Sequence, residues 1–483
     1  MSVEAFRAGM ELRSRHLGRA VPAAGRRRVV VHPEAVGVVA LAMAGERTGL
    51  WGIAFGKVRR SDPKIAAVGD ARDYSEQTRL WREMASVFAT AGKEPQLIVP
   101  SRQTARLLVE SAARFRYHED PGVAQAAEMA WWCLTRREVA GSHSAVVLTE
   151  SLGEHFAIGA DDGTDDDLRV WLAWIGATDQ EDLELRVAKR LAEPPDPKTD
   201  VDFDEKLWPK VERRDKERAE RRQLADEILS KVKRRRLEKD IALQARTRAS
   251  TVKVALLPTL RAGWSRLRTA AELLGNDPRP ALADLEKFCE ADQESWAREV
   301  SRRERGFGMS RRDSARTAVI GMAEAEAAQG CWEGALVWDD PMARLEALAA
   351  GHAVAGTVTE SDAAGFTIAA STEGARARVG DAMAFMGPNG PLGLDVVDVS
   401  DDGGAVSVSV EWSGGGFPRV AGDEAVLWPP PPDYSRRFLG WLSGRIKEKH
   451  WALGDHDGGS PSAQTSTATG PDPLAAVEAL RMR

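Results

Sequence analysis

DEKLWPKVERRDKERAERRQLADEILSKVKRRRLEKDIALQAR, residues 204–246, is the stretch from which the architecture is read. Leu207-Trp208-Pro209 opens it, and proline is tolerated in the first turn of a helix. No glycine or proline then interrupts the chain until Pro258. The stretch holds 15 Lys or Arg and 10 Asp or Glu, while Leu224, Ile228, Val232, Leu237, Ile241 and Ala245 recur at steps of four and five. That pattern predicts a charged helix with one narrow apolar seam. From Pro209 to Leu257 it would run about 70 Å at 1.5 Å per residue, so a spacer or connector is expected rather than a small core. The step from Val232 to Leu237 breaks heptad alternation, although self-association through the 204–257 helix stays open.

Outward from the rod, 483 residues imply about two to four domains. A net charge of −6 excludes a polybasic coat, yet basic clusters stand at 26–28, 231–236 and 302–312. Cys133, Cys289 and Cys331 are widely separated and form no CxxC pair, which argues against a disulfide framework or zinc site. No run approaches 18 apolar residues, so a cytoplasmic, non-membrane protein is expected. The eight histidines form no HExxH pair, no GxxxxGK[ST] phosphate loop occurs, and no Ser/His/Asp arrangement is visible. No cofactor is implied.

Before the rod, 1–28 reads as a helix and basic linker, and 29–160 as an α/β domain. Strands are expected at 36–43, 49–55, 65–68, 96–99 and 144–148, with helices at 75–91 (Ser75 as N-cap), 102–115 and 122–137. The order strand–strand–strand–helix–strand–helix–helix–strand resembles the ribonuclease-H-like fold. Nucleases of that fold hold two divalent metals on clustered carboxylates. The resemblance implies an aspartate midway along the first strand, but VGVVALAM has none, and QLIVPS has none either. Asp70 and Asp73 fall in a turn, and Glu83 and Glu110 on helices, so a metal-dependent nuclease would need atypically placed acids. The segment 161–203 reads as a helical linker whose acidic loop, Asp161 to Asp167, caps a helix at 168–175 and fails the EF-hand spacing because position 172 is Leu.

After the rod, 204–350 reads as the long charged helix and a helical bundle. The rod would end near Pro258, with helices at 259–274, 280–305 and 311–329 folding back along its seam. RRERGFGMSRR at 302–312 places basic residues around a Gly-Phe-Gly turn. Arg302, Arg303, Arg305, Arg311 and Arg312, with Lys233, Arg234, Arg235 and Arg236 on the rod, are the candidate nucleic-acid-binding residues, because phosphate contacts require guanidinium, ammonium and backbone N–H donors. A solvated helix connection is the competing reading.

From 351 to 430 glycine and valine rise, and five or six short strands predict a small closed barrel, with Val379-Gly380-Asp381 echoed by Ala421-Gly422-Asp423 as tight turns. Residues 349–358, Gly365-Phe366 and 397–410 resemble the small barrel of superfamily-1 helicases of the Upf1/Dna2 type, and are similar to S1-type oligonucleotide-binding domains. In those helicases a helical stalk accompanies the barrel. The resemblance implies a motor, which without a phosphate loop would have to be a separate ATP-driven partner. Residues 431–453 read as a helix, and 454–483 as a disordered tail with a short terminal helix. The expected function is a non-catalytic, DNA- or RNA-associated accessory protein. A structural scaffold with protein-binding end domains is the alternative.

Overall fold

The computed structural model describes residues 3–43, 49–59, 62–89, 94–160, 164–192, 231–305, 315–371, 375–387, 390–401, 406–414 and 421–432. The rod before 231, the Gly-Phe-Gly turn with Arg311 and Arg312, and the helix and tail expected after 432 lie outside them. The described residues hold eleven helices, a mixed five-stranded sheet and a closed six-stranded barrel. The chain divides into two compact units, Met1–Ser310 with Glu324–Arg437, and Arg311–Ala323 with Phe438–Arg483.

The sheet is built from β2 (Val36–Ala42), β3 (Leu50–Lys57), β4 (Lys64–Ala67), β5 (Leu97–Val99) and β6 (Ala145–Val147), in the order β4-β3-β2-β5-β6. β3 runs antiparallel to β2 and β4, and β2, β5 and β6 are parallel. All seven residues of β2 are buried, as its unbroken apolar sequence requires of a strand covered on both faces. One face carries α2 (Tyr74–Phe88), α3 (Arg102–Phe115) and α4 (Pro121–Arg136). The N-cap of α2 is Asp73, not Ser75: its carboxylate accepts from the Ser75 and Glu76 N–H groups, satisfying two donors that a serine cap two residues later would leave open.

The other face is covered by α8 (Lys231–Gly275), reached through β1 (Val21–Pro22), which pairs with β7 (Phe156–Ala157), and through α5 (Leu148–His155), α6 (Leu168–Gly176) and α7 (Gln180–Leu191). One expectation is corrected here: Pro258 does not end the helix, which runs on to Gly275. The side chains of the apolar seam, Leu224 to Ala245, lie outside the described residues. Val252, Leu256, Leu260, Trp264, Leu267, Ala271 and Leu274 are buried in the same core as β2 and β3. A proline inside a helix costs about 3 kcal/mol. Each large apolar side chain buried beyond it returns about 1.5–3 kcal/mol, so continuation wins. Three sheet glycines let the helix approach. A Cβ at Gly37 would lie 3.0 Å from both Trp264 and Leu267, one at Gly52 2.9 Å from Leu256, and one at Gly56 3.6 Å from Trp264. The helix ends at Gly275, where Gly275-Asn276-Asp277-Pro278 stops it.

The acidic loop does cap helices. Asp167 accepts from the Arg169 N–H at the start of α6, and Asp166 accepts from the Arg102 and Gln103 N–H groups at the start of α3. Beyond α8 come α9 (Leu285–Glu304), α10 (Ala315–Asp339) and α11 (Pro341–Ala350). Asp340, fully buried, caps α11 and binds the Arg28 guanidinium at 2.7 Å. The basic cluster at 26–28 is therefore structural: Arg26 pairs with Asp339 at 3.1 Å, and the Arg27 N–H donates to Pro280 O.

The barrel comprises β8 (Val354–Ser361), β9 (Gly365–Ala370), β10 (Ala382–Gly387), β11 (Gly390–Asp401), β12 (Val406–Trp412) and β13 (Glu424–Trp428). Its strands close in the order β10-β11-β12-β9-β8-β13, all antiparallel. Val354, Ile368, Leu394, Val408 and Leu427 fill the interior. Gly380 and Gly422 take φ of 92° and 97°, which explains the repeated Val/Ala-Gly-Asp phrase as a left-handed turn before a strand.

Candidate functional site

Of the basic residues singled out near 302, Arg303 is drawn into the protein, while Arg302 and Arg305 stay exposed at the end of α9. Arg303 pairs with buried Glu128 of α4 at 2.6 Å, Arg302 lies 3.5 Å from Glu299, and the Arg305 side chain donates to Ser301 O. Burial pushes the Glu128 carboxyl up, while Arg303 draws it back. Lys233, Arg234, Arg235 and Arg236 stand on the first turns of α8. The described side chains from Lys239 to Thr247 are exposed, and burial begins at Ala249. The exposed stretch of α8 is thus a helical arm whose far end is clamped in the sheet core; the side chains of Lys233 to Arg236 lie outside the described residues.

Three of the four acids weighed for metal binding are otherwise engaged. Asp70 accepts from the Arg72 N–H, Asp73 caps α2, and Glu83 lies 3.5 Å from Arg79. Among the described residues no three His, Cys, Asp or Glu side chains gather to hold a metal ion.

A surface that the sequence did not reveal lies where α2 begins and α3 ends. Tyr74, 47% exposed, stacks on Phe115 at 4.9 Å and on His118 at 6.0 Å, and the Arg114 guanidinium lies 5.9 Å from its ring centre. Tyr117, 40% exposed, carries Arg116 4.7 Å over its ring, and the same guanidinium lies 4.0 Å over Trp131. Arg82 flanks the patch, paired with Asp120 at 2.9 Å. Buried Phe115 and the Asp120-capped start of α4 hold this layout. The result is two exposed tyrosine faces ringed by guanidinium groups. Such a surface stacks bases and attracts phosphates. Arg114 to His118 are consecutive, but Tyr74 and Trp131 lie far from them in sequence, and no charge run marks the patch.

A second site opens at the end of β6. A cavity of about 270 Å³ is bordered by Arg28, Arg137, His143, Glu150, Glu154 and Trp332. Arg137 donates to Glu150 at 2.8 Å, and Arg102 lies 3.3 Å from the same carboxylate. His143 donates from Nε2 to Arg28 O at 3.1 Å, and its backbone N–H is held by Asp292 at 2.6 Å. Burial lowers the His143 ring below its ordinary value. Behind the cavity, His155 donates from Nδ1 to Ser151 O at 2.6 Å and accepts the Arg28 N–H on Nε2 at 2.9 Å, which fixes its neutral tautomer. Burial, with Arg279 nearby, takes its pKa down to about 4. Gly141 makes the tight turn beside this wall at φ 73°, where a Cβ would strike Phe288 at 2.4 Å and Trp332 at 2.9 Å.

No helix among the described residues is long and apolar enough to cross a membrane, and the three cysteines are buried free thiols. Comparison with protein-family models, with curated proteins and with solved structures finds no match to this chain.

Proposed function

We propose that the chain is a non-catalytic accessory protein that associates with single-stranded nucleic acid through its N-terminal sheet domain. The observation that carries this reading is the tyrosine–arginine surface of Tyr74, Arg114, Arg116 and Tyr117, which offers both components of sequence-tolerant single-strand binding. The basic arm of α8, with Lys233 to Arg236, adds phosphate contacts. Charge distribution points the same way. Residues 1–160 hold 22 Lys and Arg against 17 Asp and Glu, whereas the barrel segment 351–430 holds 3 against 11. An acidic barrel repels phosphate, so the oligonucleotide-binding role implied by its resemblance passes to the sheet domain, and the barrel suits a protein partner such as a separate motor. The strand order third–second–first–fourth–fifth, with only the second strand antiparallel, supports a ribonuclease-H-like origin of the sheet. A first strand that is apolar and buried throughout supports a non-catalytic role. The test is binding of labelled single- and double-stranded DNA and RNA across a salt series, with and without Mg²⁺. Single strands should bind with a steep salt slope and remain intact. Equal, salt-insensitive binding of all four, or none, would refute the reading.

A second reading, self-association through α8, is favoured by Leu243 and Val254. They are 64% and 69% exposed, and eleven residues (about three turns) apart on one side of the helix. Sedimentation equilibrium should then show a dimer that Leu243→Asp with Val254→Asp dissociates. A monomer in the unsubstituted protein would remove it.

A further inference from the structure

The cavity at the end of β6 shares no lining residue with the tyrosine–arginine surface, and its charges are unevenly satisfied. Arg28 is held by Asp340 at 2.7 Å, and Arg137 by Glu150 at 2.8 Å. Glu154 lines the same cavity and makes no hydrogen bond or ion pair among the described residues. Its side chain is exposed and lines the cavity, so the carboxylate is open to a ligand; the surrounding protein pushes its carboxyl up to about 7, Arg28 draws it down, and Glu150 adds to the rise. His143, 4% exposed, stands at the same wall.

We propose that this cavity is a binding site for a small organic cation, a protonated primary amine with a short apolar body, whose ammonium pairs with the Glu154 carboxylate while its apolar part lies along Trp332. An anion would have to compete with Asp340 for Arg28 or with Glu150 for Arg137, and stripping one partner from the buried Arg28–Asp340 pair leaves an uncompensated charge. A neutral ligand would leave Glu154 unpaired. A cation completes the one unmatched charge on the wall and leaves both pairs intact. The volume, about 270 Å³, falls just below the range of drug-sized sites and selects a ligand of few heavy atoms. The charged and titratable groups facing Glu154 around the cavity are Arg28, Arg137, His143 and Glu150; the remaining lining side chains are neutral. Because the empty site holds Glu154 partly protonated at neutral pH, binding the ammonium must release a proton.

The experiment is titration calorimetry of the full chain with n-butylammonium chloride and, separately, with 1-butanol, at pH 6, 7 and 8 and in two buffers of different ionisation heat. The amine should bind at least tenfold more tightly than the alcohol at pH 8 and lose about tenfold in affinity at pH 6, following the ionisation of Glu154. At pH 7 the apparent heat should differ between buffers, reporting proton release. Glu154→Gln, close in shape, should bind amine and alcohol alike. Equal binding of the two compounds by the unsubstituted protein, no binding at millimolar concentration, or a preference that survives in Glu154→Gln would overturn the proposal. Should that variant fail to fold, the buffer comparison on the unsubstituted protein decides: heats independent of buffer at pH 7 overturn it.

Discussion

His155 shows how a single side chain ties the N-terminal segment to the sheet domain. Both ring nitrogens are committed to backbone, one donating to Ser151 and one accepting from Arg28, so the imidazole must be neutral in the folded state. Its pKa falls from 6.5 to about 4 on folding. The unfolded chain therefore binds the extra proton first, and the stabilisation is full above about pH 6.5 and lost as the pH drops towards 4. The gap corresponds to about 3 kcal/mol. Urea denaturation at pH 7 and pH 4.5 should show most of that loss, and His155→Gln should flatten the slope between them while lowering stability at pH 7. A slope unchanged in the variant would assign the acid sensitivity elsewhere. Arg28 belongs to the same residue-scale lesson. As sequence, Arg26-Arg27-Arg28 is indistinguishable from a phosphate-binding cluster. In the fold, two of the three are paired with Asp339 and Asp340, more than 300 residues away, and local charge cannot reveal partners so distant.

At the scale of elements, α8 is where sequence reading and structure part most instructively. Proline, read locally, ends a helix. Yet Leu256, Leu260, Trp264 and Leu267 straddle Pro258 on one face, and they seat against the glycine-lined surface of β2 and β3. Tertiary burial outweighed the local rule. Pro258→Ala should restore the missing N–H donor and raise stability by about 1–3 kcal/mol, measured by urea denaturation. A destabilised variant would mean that the proline shapes a bend on which the packing depends. Other elements were legible. Alternating β-branched residues and repeated Gly-Asp turns marked the barrel, and the aspartates before 168 marked helix caps, because those signals are local in origin.

Across the whole molecule the division of charge separates two kinds of surface. The sheet domain joins a tyrosine–arginine patch to a basic helical arm, and the barrel turns an acidic exterior to solvent around a filled apolar core. Net charge alone hid this, since opposite excesses cancel along the chain. The basic arm was visible in sequence as KVKRRR, but the patch was not, because Tyr74 meets Arg114, Phe115 and His118 only after α2 and α3 pack. The two surfaces make separable contributions to binding. Stacking is worth about 1–3 kcal/mol per base and carries little salt dependence, whereas each phosphate contact to a single strand contributes about 0.7 to the salt slope. The most direct measurement is fluorescence anisotropy with a labelled single strand over a salt series for three proteins: unsubstituted, Tyr74→Ala with Tyr117→Ala, and Lys233, Arg234, Arg235 and Arg236 all replaced by Ala. The account predicts that the tyrosine variant loses about tenfold or more in affinity with its salt slope unchanged, and that the arm variant flattens the slope by up to about three. Affinity and slope that match the unsubstituted protein in both variants would contradict it.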